Sequence, residues 1–217
     1  VRKDLAEKYK FDLSKVKKLE DLEPMLKTIK ENEPAMYPLE AVDGESPRFL
    51  LDWDKLIDDD IPVSLYPDNR GKKVVFELEA PETMALFKTM HKFYQAGYVR
   101  KDGAAITDFL ADEKAGLIFA AAKSLKPGKD VEMTNTTGKP WVQVEITPPV
   151  MSNRETTGSL QAISVTSKNP ELAMKFLELF NTDKELNNLI NYGIKDAHYT
   201  KVGDNTIKAG PEVAKYN

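Results

Sequence analysis

Ala162-Ile163-Ser164-Val165-Thr166-Ser167-Lys168-Asn169-Pro170-Glu171 is the stretch on which the reading of this chain turns. From Leu160 to Val165 the residues are apolar and β-branched enough for a strand. Asn169 then stands at an N-cap position and Pro170 at the first helical position, where its missing N–H would have had no partner anyway. Ala173, Phe176, Leu177 and Phe180 follow at helical spacing as an apolar face. A strand that passes straight into a capped helix predicts an α/β protein. Thr182 with Glu185 makes a capping box for the next helix, through Leu186, Leu189 and Ile190, which Gly193 can terminate. The tail from Lys195 to Asn217 is polar and is expected to be irregular.

The same alternation continues toward the N-terminus. Val142, Val144 and Ile146 alternate with Gln143 and Glu145 as in a half-buried strand, closed by Pro148-Pro149. Lys126 to Lys129 is a turn, and Leu117 to Ala120 reads as a buried strand after a short helix through Glu113, capped by Thr107 or Asp108. Pro81 opens a helix that carries Phe87, Met90 and Tyr94 and stops at Gly97. Val74 to Leu78 is a strand behind the turn Arg70-Gly71-Lys72. Residues 35–69 lose periodicity and should be loops and short strands, whereas Leu19 to Lys30 sets Leu22, Met25, Leu26 and Ile29 on one helix face. The opening residues read as part of a helix cut at its start.

Composition narrows the function. The 217 residues carry 31 Lys+Arg against 35 Asp+Glu, a net charge of −4, with no basic cluster of the kind that neutralises nucleic-acid phosphates. The longest apolar run, Gly116 to Ala122, is seven residues, where a bilayer span needs about 20. Cysteine is absent, which removes disulfides, thiolate metal sites and cysteine nucleophiles.

The two histidines, His91 on a helix and His198 in a polar loop, read as structural, and no Gly-x-Ser-x-Gly turn supplies a nucleophile. Asp58-Asp59-Asp60 lacks the spacing and the glycine of a cation loop and reads as a solvated acidic loop. No metal or cofactor is expected. What remains is aromatic. Trp53, Tyr66, Trp141, Tyr192 and Tyr199 lie in loops or at element ends, where a flat ring can stack on the C–H face of a sugar; the competing reading is that each plugs a local core.

The run through Ser167-Lys168-Asn169-Pro170-Glu171 resembles the strand-to-helix passage of bacterial extracellular solute-binding proteins of ABC importers. Asn181-Thr182-Asp183-Lys184-Glu185-Leu186, Asn191-Tyr192-Gly193-Ile194 and His198-Tyr199 are similar to a subgroup of lipoprotein receptors from Gram-positive bacteria assigned to complex sugars. Phe11-Asp12-Leu13-Ser14-Lys15 and Phe93-Tyr94-Gln95-Ala96-Gly97-Tyr98 agree with it. The chain departs from the pattern at Lys195-Asp196-Ala197, where the family usually has Glu-Gly, and resembles a central portion of a chain about twice as long.

The resemblance implies a periplasmic-binding-protein-like type II fold, α/β, with mostly one lobe and part of the second. Residues 1–150 would be the second lobe, and 151–217 the return crossing, a strand and a helix pair of the other lobe, and the tail. It implies no catalysis, but reversible capture of a carbohydrate, an oligosaccharide by preference, through lobe closure and delivery to the permease subunits of the importer. The full-length protein would be extracellular and held to the membrane by an N-terminal lipid. Trp53, Phe119, Lys123, Trp141 and Arg154 are the expected ligand contacts. A carbohydrate-active enzyme or its accessory domain is the alternative, and a purely structural surface domain a third reading.

Overall fold

The computed structural model describes residues 1–41, 51, 53–56, 61–66, 73–149, 156 and 160–216. The chain divides into two compact units, Val1–Ser159 and Leu160–Asn217. Asp58-Asp59-Asp60, the turn at Arg70-Gly71-Lys72 and Arg154 lie outside the described residues. The first unit contains α1 (Lys3–Lys8), α2 (Glu23–Asn32), β1 (Tyr37–Leu39), β2 (Asp54–Lys55), β3 (Val63–Leu65), β4 (Val74–Phe76), α3 (Pro81–Gln95), α4 (Phe109–Ala115), β5 (Ile118–Ala120) and α5 (Lys129–Thr137).

Its core grows from α2. Met25, Leu26 and Ile29 recur on one face and are buried, each contributing about 1.5–3 kcal/mol of apolar burial. The helix expected from Leu19 begins as a 3-10 turn, Leu19–Leu22, where the Asp21 carboxylate accepts the Lys17 and Lys18 N–H groups at 2.9 and 3.1 Å. On α3 the buried residues are Leu86 and Phe93, while Phe87 and Tyr94 of the predicted stripe face outward. Two stripes one residue apart fit the helical period equally well, and packing against α2 and Tyr98 selects one of them.

β1 and β5 pair in parallel, Tyr37 opposite Ile118 and Leu39 opposite Ala120. Two further strips of backbone widen this sheet. The Arg2 N–H donates to the Phe119 carbonyl at 2.8 Å, and Val1 and Val142 exchange N–H···O bonds of 3.0 and 2.9 Å in antiparallel sense. Beyond Val142 burial alternates as the sequence predicts, half-buried at 144 and 146 and exposed at 143 and 145. No strand forms there: among the described residues no backbone group is hydrogen-bonded to 143–147 to make a ladder.

α4 is capped by Asp108, whose carboxylate accepts the Ala111 N–H at 3.2 Å, and ends at Gly116 with φ 78°. α5 was not legible beforehand. Its sequence, rich in threonine, has no apolar period; Gly128 and Gly138 bound it at φ 80° and 67°, and the Thr134 and Thr137 hydroxyls donate back to carbonyls one turn earlier. A second sheet, β2–β3–β4, is antiparallel, with Lys55 opposite Ser64 and Ser64 opposite Val75. The strand expected to Leu78 gives way to a 3-10 turn at Glu77–Glu79.

The second unit holds α6 (Pro170–Thr182), α7 (Lys184–Tyr192), β6 (Tyr199–Gly203) and β7 (Thr206–Ala209). The strand expected at 160–165 is absent: Val165 is 100% exposed and the segment makes only a local turn, Ser167 N–H to Ser164 O. Apolar β-branched sequence favours an extended chain, but a strand also requires a neighbour. Asn169 makes no side-chain cap to α6, and in place of the predicted capping box a single side-chain cap forms one residue later. Asp183, not Thr182, caps α7, accepting the Leu186 N–H at 2.8 Å, while Thr182 ends α6 by donating to Glu178 O. The tail expected to be irregular is a hairpin, β6 against β7, with Tyr199 opposite Ala209 and Asp204-Asn205 at the turn.

Candidate functional site

At the C-terminal end of the parallel pair, Glu40 directly follows β1 and its N–H donates to the Ala120 carbonyl at 2.8 Å. Lys123, three residues past β5, places its Nζ 3.0 Å from Glu40 Oε2 and 3.1 Å from Glu113 Oε1 of α4. The two carboxylates are 2% exposed and the lysine side chain 11%. Carboxylates at that depth need a cation beside them, so Lys123 is an internal strut that ties β1, α4 and the loop after β5 together.

Phe119 is enclosed completely in β5, edge-on to Phe11 with centroids 5.7 Å apart. Trp141 is buried against α5, its indole N–H donating to Thr137 Oγ1 and its backbone N–H to Thr134 Oγ1, both at 3.0 Å. Phe119 and Trp141 are joined through Arg2, which bonds to the first and lies opposite the second. Neither ring leaves a free face for a ligand in this arrangement, and sequence position at a strand end could not reveal it. The Arg2 guanidinium forks onto Asp4 at 2.9 and 2.7 Å and reaches Gly116 O at 3.2 Å, and that bond to Arg2 holds the Asp4 carboxyl below its ordinary range.

Trp53 is placed differently. It precedes β2, and Tyr66 follows β3; their rings lie 5.0 Å apart at 51° and both are half-buried. The Tyr66 hydroxyl faces Glu82 Oε2 at 3.4 Å. Below them, Lys55 Nζ sits 2.6 Å from Glu77 Oε1, and the Ser64 hydroxyl donates to the same oxygen. Sequence reading found Trp53 and Tyr66 as loop aromatics but missed Glu77, which looks like any of 35 acids until the fold brings it to Ser64.

Elsewhere in the first unit a groove of about 600 Å³ runs between the turn Leu13–Lys15 and residues 142–148, lined by Leu13, Lys17, Val144, Glu145 and Ile146. That volume is of the size small-molecule sites occupy. His91 is exposed, and His198 Nδ1 accepts the Ile194 N–H at 2.9 Å, a structural bond. Among the described residues no group of three or more His, Asp or Glu is arranged to hold a metal ion, and no helix is long and apolar enough to cross a membrane.

No protein-family model matches the chain. Over 200 residues, 91% of its length, it is 32% identical to a carbohydrate ABC transporter substrate-binding protein of Streptococcus pneumoniae serotype 4, strain TIGR4, and covers 40% of that relative. The crystal structure of the N-glycan transport solute binding protein NgtS from S. pneumoniae superposes with a TM-score of 0.77 at 29% identity, over 95% of this chain and 46% of that one. The complex of NgtS with Man1GlcNAc gives 0.74 at 29% identity, over 97% and 47%. The complex with Man5GlcNAc gives 0.72 at 30% identity, over 96% and 46%. The chain spans less than half the length of these relatives.

The fold is therefore that of a solute-binding protein, α/β, represented by about half of such a chain. Within that class the chain is similar to part of the substrate-binding proteins of carbohydrate ABC transporters.

Proposed function

We propose that the protein captures an oligosaccharide reversibly and delivers it to the permease of an ABC importer, without chemistry on the sugar. The observation that carries this is the superposition of nearly the whole chain on a solute-binding protein solved with Man1GlcNAc and Man5GlcNAc. The mechanism is a population shift. A ligand that touches both lobes stabilises the closed form over the open one, because only closure makes both sets of contacts. In this reading residues 1–150 belong to one lobe and 151–217 contribute to the return crossing and the other lobe. The receptor works outside the cell, held to the membrane by an N-terminal lipid.

Trp53 is the proposed ligand contact. Arg154 is a proposed contact on the return crossing, and Phe119, Trp141 and Lys123, enclosed in the first unit, are proposed to hold the frame of the lobe rather than to touch the sugar. Incubating the longest natural form of the protein with neutral oligosaccharides should raise its melting temperature and return the sugar unchanged by mass spectrometry. New saccharide products would make it an enzyme, and no shift with any glycan would leave a surface scaffold.

A further inference from the structure

We infer that Trp53 and Tyr66 together form one stacking subsite for an uncharged sugar ring, and that Glu77 is a positioning residue for it; the inference rests on the function proposed above. The ladder places Asp54 opposite Leu65 and Lys55 opposite Ser64. One step further along the same register sets Trp53 opposite Tyr66. Side chains alternate along a strand, so Trp53 and Lys55 share a face with Ser64 and Tyr66. A slip of one residue would send the two rings to opposite faces.

β2 is only two residues long, and its ladder alone is a weak guard against such a slip. Glu77 supplies the guard. Its Oε1 takes both the Lys55 ammonium and the Ser64 hydroxyl, which are the cross-strand pair next to the rings, and its own N–H is fixed to the Pro62 carbonyl at 2.9 Å. The Trp53 indole N–H is enclosed and meets no acceptor, so no hydrogen bond sets the ring's orientation; register and the contact with Tyr66 do. The Lys55–Glu77 pair is neutral in sum and Glu82 faces the Tyr66 hydroxyl, a setting suited to an uncharged pyranose and adverse to an acidic one.

The test is calorimetric titration of the longest natural form with Man5GlcNAc and with a sialylated glycan. Trp53→Ala and Tyr66→Ala should each weaken Man5GlcNAc binding about tenfold. Glu77→Ala should weaken it about fivefold, and Glu77→Gln, which keeps an oxygen for Ser64, should recover most of that. In a Trp53→Ala background the Glu77→Ala loss should vanish, a coupling that a merely structural glutamate would not show. If Glu77→Ala fails to fold, Ser64→Ala carries the same cycle. Unchanged affinity in Trp53→Ala and Tyr66→Ala, an undiminished Glu77 effect in that background, or preference for the sialylated glycan overturns the subsite while leaving the receptor function intact. No binding of any neutral glycan by the unmutated protein overturns the function and the subsite with it.

Discussion

Lys123 separates a structural from a ligand-binding role at the level of one side chain. Lys123→Met withdraws the cation shared by two carboxylates that are each 2% exposed, which should destabilise the first unit by about 3 kcal/mol or more in denaturant titration. A lysine that served ligand alone would leave the unfolding midpoint where it was. Asp4 gives the pH dependence. Its folded carboxyl is held below the ordinary 3.8 by the hydrogen bond to Arg2. A depressed carboxyl contributes stability that is present above 3.8 and is lost as pH falls through the lower folded value. Asp4→Asn should therefore lower the melting temperature at pH 6 and narrow its gap to the parent below pH 3.8, followed by circular dichroism.

Helices were legible where one local signal marks them, an apolar stripe at α2 and α6 and the Asp108 cap at α4. α5 carries neither an apolar stripe nor a side-chain cap at its start. The hairpin of β6 and β7 was missed for a related reason: its residues are polar, and pairing with each other rather than burial makes them strands. In the second unit, Asp183→Ala removes the α7 cap and should cost about 1 kcal/mol. Gly193→Ala should be worse. Its φ is +83° and a Cβ would lie 2.4 Å from His198 Nδ1 and 2.7 Å from Tyr216 Cδ2. Proton exchange at α7 amides should rise in both variants. Along 143–147 the amides should exchange fast in this chain, since alternating side chains without a hydrogen-bonded backbone partner leave them to water.

For the whole molecule, ligand linkage gives the scale of the expected stabilisation. An oligosaccharide at about 100 times its Kd should stabilise the folded receptor by about 2.7 kcal/mol, read as a rise in melting temperature that grows with concentration. α6 presents Leu172, Phe176 and Leu179 half or more exposed, with Phe176 and Phe180 stacked at 6.4 Å. That face, with residues 160–165, is apolar sequence for which the described residues supply no cover.

Neighbouring residues alone carried the α2, α3, α4 and α6 helices, the Asp108 cap, the helix stops at Gly97 and Gly193, and through the Ser167-to-Glu171 run a resemblance to solute-binding proteins. Only the tertiary structure decided that Phe119 and Trp141 are enclosed, that Lys123 is shared between two acids, and that Trp53 meets Tyr66 above Glu77. Those outcomes depend on which distant segments lie side by side, and a ring or a charge takes its role from the neighbours that packing gives it.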